Sequence, residues 1–316
     1  MKRALYALII IGFVFTSFQI ANHYFRYELY DFAIEFESEK AGLTPKQTTL
    51  NGLDYYYLSR DISQAAETVI LLHGFSANKE NWLRFSQHIP NTFEIYAIDL
   101  LGHGQHPINL SLDYSITSQV DYLHHFITQY TQQAVHIVGN SMGGAIAALY
   151  AAKYPENVKT LMLISPAGIH DIPSQLDHAL EQGSNPLIVN TAEEFYQVID
   201  FVMEDQPFIP QSILAVQAEK SIKRMALNQK IFTDIRRDLD KKLDQNFSQI
   251  QAPTLILWGK EDRVINAENI HRYSTLISNS TPIVLNNIGH LAMIEAPKVA
   301  AQALITSLST SKPLSN

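Results

Sequence analysis

The stretch Gly139-Asn140-Ser141-Met142-Gly143 constrains this chain more than any other. The run Ala134 to Val138 ahead of it is apolar and partly β-branched, and the small-residue run Gly144-Ala145-Ile146-Ala147-Ala148-Leu149 behind it reads as a helix. A strand therefore turns into a helix across a serine with glycines two positions before and after it. Side chains at those two positions would collide with neighbouring backbone in so tight a turn. The turn lifts the Ser141 hydroxyl above the sheet, and the start of the helix aims free N–H groups at whatever the hydroxyl attacks. Such a five-residue pattern arises by chance in roughly one chain in ten of this length. Its weight comes from the strand before it, the helix after it and the partners downstream.

Strands alternate with helices on both sides of this turn. Thr48–Leu50 and Leu53–Leu58 flank Asn51-Gly52 and read as a β-hairpin. Thr68–Leu72, Phe93–Ile98, Ala134–Val138 and Val158–Ile164 read as buried strands, with helices expected near Lys79–His88, Tyr114–Tyr130 and after Ser141. Alternation stops at Ile169. Up to Phe247 the pattern is helical, with a helix opened by the capping-box sequence Thr191-Ala192-Glu193-Glu194 and closed by Pro207 and Pro210. It resumes at Pro253–Trp258, with a helix after Asn266, a strand Thr281–Leu285 and a last helix from Pro297. The expected fold is α/β: a mostly parallel, doubly wound sheet with a helical insertion after its sixth strand. The expected division is a leader at 1–22, an amphipathic helical linker at 23–46, a core made of 47–168 and 248–316, and a helical cap at 169–247.

A serine hydroxyl needs a base to take its proton, and the base needs an orienting carboxylate. Trp258-Gly259-Lys260-Glu261-Asp262-Arg263 places acids directly after one expected strand, and Asn287-Ile288-Gly289-His290 places a histidine directly after the last. Both loops leave the carboxyl ends of strands, the same sheet edge as Ser141. Asp262 is the candidate acid, with Glu261 in reserve, and His290 the candidate base. The N–H groups of Met142 and of Phe75, in the loop after the first long strand, are the candidate oxyanion hole. His73 and Asp99 read as loop-fixing residues. His103, His106, His124, His125 and His136 show no metal-ligand spacing, so no metal is expected.

At this point the chain resembles the lipase branch of the α/β-hydrolase family, above all the bacterial family V lipases, and is similar to membrane-anchored monoacylglycerol lipases. The segments that carry the resemblance are HGFSANKENW from His73, GNSMGGAIAALYAAKYPENV from Gly139, PAG from Pro166 and WGKEDRV from Trp258. In the cap they are NPLIVN from Asn185 and FYQVIDFVMEDQPFIPQS from Phe195. The likeness runs from about Gln47 to Thr310. One departure is Asn266, where many relatives carry proline after the acid. The resemblance implies a carboxylic-ester hydrolase acting on acylglycerols or similar acyl esters without a cofactor. The apolar cap residues Phe195, Phe201, Met203 and Phe208 are the expected contacts for an acyl chain. A second reading is a hydrolase of C–C bonds in ring-fission products, since GNSMGG occurs there too. Those enzymes carry a Gly-Pro-Gly oxyanion loop, which Ser76-Ala77-Asn78 lacks, and a cap arginine for a carboxylate. A third is a non-catalytic binding protein of the same fold, which the presence of Ser141, Asp262 and His290 together disfavours.

The remaining signals concern partners and place. With a net charge of −8 over 316 residues and no Lys/Arg stripe, nucleic acid is not an expected partner. The absence of cysteine removes disulfides, thiolate nucleophiles and lipid attachment through an N-terminal cysteine. Lys2-Arg3 precede an uncharged apolar run from Ala4 to Phe18 or Ile20, about 17 residues and about 26 Å as a helix, against a ~30 Å hydrocarbon core. No good small-residue cleavage site follows it, and the aromatics Tyr24, Phe25 and Tyr27 do. The expectation is an uncleaved anchor in the inner membrane with the catalytic domain facing the periplasm. The alternative is a cleaved leader and a periplasmic or secreted protein. Phe25, Leu29, Phe32 and Phe36 recur at helical spacing and form the apolar stripe of an amphipathic helix that lies either on the bilayer or on the folded domain; its acidic polar face favours docking on the protein.

Overall fold

The computed structural model describes residues 24–62, 67–239 and 243–310, with positions 6, 12, 13, 16, 17 and 20 before them. An eight-stranded sheet in the order β1-β2-β4-β3-β5-β6-β7-β8 organises it. The strands are β1 (Thr44–Leu50), β2 (Leu53–Arg60), β3 (Glu67–Leu72), β4 (Phe93–Ile98), β5 (Val135–Asn140), β6 (Val158–Ile164), β7 (Thr254–Gly259) and β8 (Ser280–Leu285). Only β1–β2 and β2–β4 pair antiparallel; every other neighbour is parallel. The hairpin turns through Asn51 and Gly52, both at positive φ, as a two-residue type I′ connection requires.

Alternation along β3 shows how the sheet separates two layers. Val69 and Leu71 pack on one face with Trp82, Phe85 and Leu304. Ile70 and Leu72 pack on the other with Leu123, Phe126 and Ala147. The first face is covered by α2 (Leu83–Ser86) and α11 (Pro297–Thr310), the second by α3 (Ile116–Tyr130) and α4 (Met142–Lys153). The expected helix near Lys79–His88 is in fact a 3₁₀ turn, Lys79–Trp82, running into α2.

Among the described residues no strand lies between β6 and β7. The chain there forms α5 (Gln175–Glu181), α6 (Ala192–Val202), α7 (Gln211–Lys223) and α8 (Met225–Leu239). This is the helical cap after the sixth strand. The Thr191 side chain accepts from Glu194 N at the start of α6, but the Glu194 carboxylate reaches back to Asn190 N instead. The reciprocal box stands one helix earlier, between Ser174 and Asp177.

Helix α1 (Arg26–Ala41) corrects one reading of the sequence. It does dock on the protein, yet Phe25, Leu29, Phe32 and Phe36 all face outward. The docked side is Tyr30, Ile34, Ser38 and Ala41, a second helical stripe that packs on core and cap. Strand β1 begins at Thr44, three residues inside the expected linker. The expected inner-membrane anchor with a periplasmic catalytic domain is corrected too: among the described residues no helix is long and apolar enough to cross a membrane. Helix α1 carries Arg26, Glu28, Asp31, Glu35, Glu37, Glu39 and Lys40, too much charge for such a role. Most of the run from Ala4 to Phe18 lies outside the described residues.

Candidate active site

Ser141 joins β5 to α4 with φ 54° and ψ −118°, a left-handed conformation that costs a non-glycine residue on the order of 1–3 kcal/mol. Its neighbours over-determine it. Ser141 N donates to Ile164 O at 3.0 Å, and Ser141 O accepts from Ala145 N and Ala167 N at 3.0 Å each. A Cβ on Gly139 would stand 2.3 Å from Gly143 O, and one on Gly143 would stand 2.3 Å from Leu72 O. The two glycines of the turn are therefore dictated by close backbone approach, as the sequence suggested.

His290 and Asp262 meet beside it. His290 Nδ1 donates to Asp262 Oδ2 at 2.7 Å, and Trp258 Nε1 donates to the same oxygen at 3.0 Å. Asp262 Oδ1 accepts from Val264 N at 2.8 Å and Ile265 N at 3.0 Å. Every lone-pair direction of this buried carboxylate is engaged, which sets its orientation. Because Nδ1 is the donor, Nε2 of His290 is left to face the cavity that Ser141 also lines. No hydrogen bond joins Ser141 Oγ to His290 Nε2 among the described residues, a common state of unliganded sites. Glu261, the reserve acid, points elsewhere and accepts from Ile288 N at 3.1 Å.

The amides of Phe75 and Met142 have no acceptor among the described residues. His73 explains the first. Its Nδ1 donates to Gly74 O at 2.8 Å while its Nε2 accepts from Leu100 N at 3.0 Å. A trans peptide sets C=O and N–H on opposite sides, so holding Gly74 O toward His73 turns Phe75 N–H away from it. Full burial pushes the His73 imidazole down to about 4 and keeps it neutral. Asp99 fixes the same loop: it accepts from Lys79 Nζ at 2.7 Å, Lys79 N at 2.9 Å and Gln105 N at 3.0 Å. Both residues hold loops, as the sequence implied.

The cavity has a volume of about 530 Å³. Leu187, Val189, Phe195, Val198, Ile199 and Val202 give one apolar wall, from the cap. Gln217, Lys220, Lys223 and Arg224 give a polar one, from α7 and the turn after it. Of the four cap residues expected to line it, only Phe195 does. Phe201 packs partly buried against the core, Met203 is buried in it, and Phe208 is 85% exposed. Two residues with no sequence signal of their own also shape the site. Asn140 Nδ2 donates to His290 O at 3.2 Å, and Glu295 holds the loop around His290.

Comparison with known proteins identifies the family. Residues 67–199 match the family model described as the alpha/beta hydrolase fold. Lipase 1 of Psychrobacter immobilis is 35% identical over 266 residues, 83% of this chain and 83% of that protein. Monoacylglycerol lipase ABHD6 of Homo sapiens is 32% identical over 254 residues, 77% of this chain and 75% of that one. The crystal structure of a membrane phospholipase A superposes with a TM-score of 0.86 at 33% identity, covering 98% of this chain and 99% of that one. With lipase relatives of this identity along most of its length, the chain belongs to the lipases of the α/β-hydrolase family and is a carboxylic ester hydrolase.

Proposed function

We propose that the protein hydrolyses acyl esters, acylglycerols among them, through a Ser141–His290–Asp262 triad and an acyl-enzyme. The observation that carries this reading is the hydrogen bond from His290 Nδ1 to a fully engaged Asp262, on a cavity shared with the strained Ser141. His290 Nε2 takes the Ser141 Oγ proton as Oγ attacks the ester carbonyl carbon. The carbonyl π electrons move onto oxygen, and the amides of Phe75 and Met142 hold that oxyanion, each donor contributing about 3 kcal/mol. Collapse breaks the bond to the alcohol oxygen, which receives the proton from His290. Water, deprotonated by His290, then attacks the acyl carbon; the bond to Ser141 Oγ breaks, Oγ takes the proton back from His290, and the acid is released. Asp262 keeps its hydrogen bond from Nδ1 and holds the imidazole tautomer throughout.

The apolar wall suits the acyl chain, and the polar wall suits the alcohol part. A cap arginine, wanted by the C–C hydrolase alternative, does reach the cavity at Arg224. Its two terminal nitrogens are committed to His106 O at 2.9 Å and Gly102 O at 2.7 Å, which favours the ester reading. The names of the relatives, a monoacylglycerol lipase and a membrane phospholipase A, point to glycerolipid esters. A graded series of monoacylglycerols and simple acyl esters tests the proposal. The wild type should hydrolyse them, and Ser141→Ala should lower kcat by several orders of magnitude in a folded protein. More than a few per cent residual activity in that variant rejects Ser141 as nucleophile.

A further inference from the structure

The carboxylate of Glu295 gathers backbone amides from two separate parts of the chain. It ends α10 (Ala292–Glu295), one turn after His290. Its Oε1 accepts from Leu291 N at 3.0 Å, and its Oε2 accepts from Gly289 N at 2.9 Å. These are the residues on either side of His290. The same Oε2 accepts from Glu204 N at 2.7 Å and Asp205 N at 3.0 Å, in the cap just past α6. The two stretches also touch directly. His290 N donates to Val202 O at 2.9 Å, and a Cβ on Gly289 would fall 2.8 Å from Glu204 N and 3.0 Å from Val202 O. Arg263, next to Asp262, adds a bridge from the acid loop to Asp200 O, Met203 O and the Glu204 carboxylate.

We infer that Glu295 is a positioning residue, which fixes His290 by holding the amides on both sides of it and couples that loop to the cap segment Val202–Asp205. The inference rests on the reading of His290 as the base. A carboxylate accepting several N–H groups makes charge-assisted, directional bonds, so the peptide planes around His290 have one orientation. The imidazole swings from those planes, and a general base must lie within hydrogen-bond reach of the proton it takes. A base displaced by about 1 Å costs on the order of 100-fold in rate. Coupling follows from the shared oxygen. The α6 end of the cap cannot lift without releasing bonds that orient His290. This end is thus a fixed part of the site, and any movement of the cap must hinge elsewhere.

The test compares Glu295→Ala, Glu295→Gln and Asp205→Pro with wild type. The last removes one donor of the cluster and leaves Glu295 in place. Readouts are kcat and KM on a short ester and a long one, the pH profile of kcat/KM, the labelling rate of Ser141 by a fluorophosphonate, and Tm. We expect Glu295→Ala to lower kcat on the short ester by roughly 30–100-fold with KM nearly unchanged, to slow labelling by a similar factor, and to move the acid limb of the profile. Glu295→Gln, which keeps the shape and one acceptor oxygen, should recover part of the loss. Asp205→Pro should lower short-ester kcat several-fold. A residue that merely staples the loop would lower Tm and leave these rates alone. Short-ester kcat within threefold of wild type in folded Glu295→Ala, or a loss confined to KM for the long ester, overturns the inference. If Glu295→Ala does not fold, a wild-type profile for both Glu295→Gln and Asp205→Pro overturns it. His290→Ala separates the two readings: unchanged labelling there removes the base assignment itself.

Discussion

His290 and Asp262 lie 28 residues apart in sequence and share a hydrogen bond of 2.7 Å, with the imidazole as donor. The other acid of the loop, Glu261, is spent on Ile288 N. Asp262→Asn should therefore lower kcat by about 10⁴, by analogy with the loss of tautomer control in serine proteases. Glu261→Gln should cost less than tenfold. Steady-state kinetics on one ester decides it, and a reversal of the two effects would move the acid by one position.

Ser141 sits in a strained backbone conformation at the turn between β5 and α4. Glycine adopts φ 54° freely, so Ser141→Gly should abolish hydrolysis and raise unfolding stability by about 1 kcal/mol, after allowing for glycine's larger backbone entropy. Urea unfolding of the wild type, Ser141→Ala and Ser141→Gly measures it. A glycine variant no more stable than the alanine one counts against stored strain.

Phe195 and Phe208 separate the cavity from the surface of the cap. Phe195 lines the cavity and Phe208 is exposed. Phe195→Ala should lower kcat/KM for long-chain esters about tenfold and change short-chain esters little. Phe208→Ala should leave both unchanged when the substrate is monomeric in solution. Equal effects of the two substitutions would contradict the cavity walls described.

The buried histidines give a pH-dependent stability with a defined sign. Burial pushes His73 down to about 4, and lowers His103 and His106 too. In the unfolded chain each has a value near 6.5, so between pH 6.5 and 4 the unfolded state binds protons that the folded state refuses. Their stabilising contribution is complete above pH 6.5 and is lost as pH falls through that window. Each refused proton is worth on the order of 1 kcal/mol per pH unit. Urea midpoints should fall clearly from pH 7 to pH 5, above the range where most carboxylates titrate. A flat midpoint over that interval would mean these imidazoles are solvated.

The fold and the candidate reacting groups were legible in the sequence because local rules encode them. A serine between two glycines can sit only at a turn with close backbone approach, and Gly139 and Gly143 stand where a Cβ would strike a carbonyl. Apolar runs bounded by turn residues marked the strands, and acid and histidine each followed such a run. The order Ser141, Asp262, His290 was thus readable in one dimension. So was the insertion after β6, where alternation lapses for about eighty residues.

Faces and long-range amide partners were decided only in three dimensions. Helix α1 carries two apolar stripes, and periodicity cannot say which one meets a partner; Tyr30 went inward and Phe32 outward. Phe195, Phe201, Met203 and Phe208 are alike in sequence, yet only the packing of α6 on the core turns one of them to the cavity. Glu295 and Asn140 left no mark at all, because their partners are main-chain groups that every residue carries. Which carboxylate collects the amides around His290 depends on where the cap returns to the sheet. The chain's own pattern determined the fold and the order of its candidate groups; tertiary packing alone decided what holds them still.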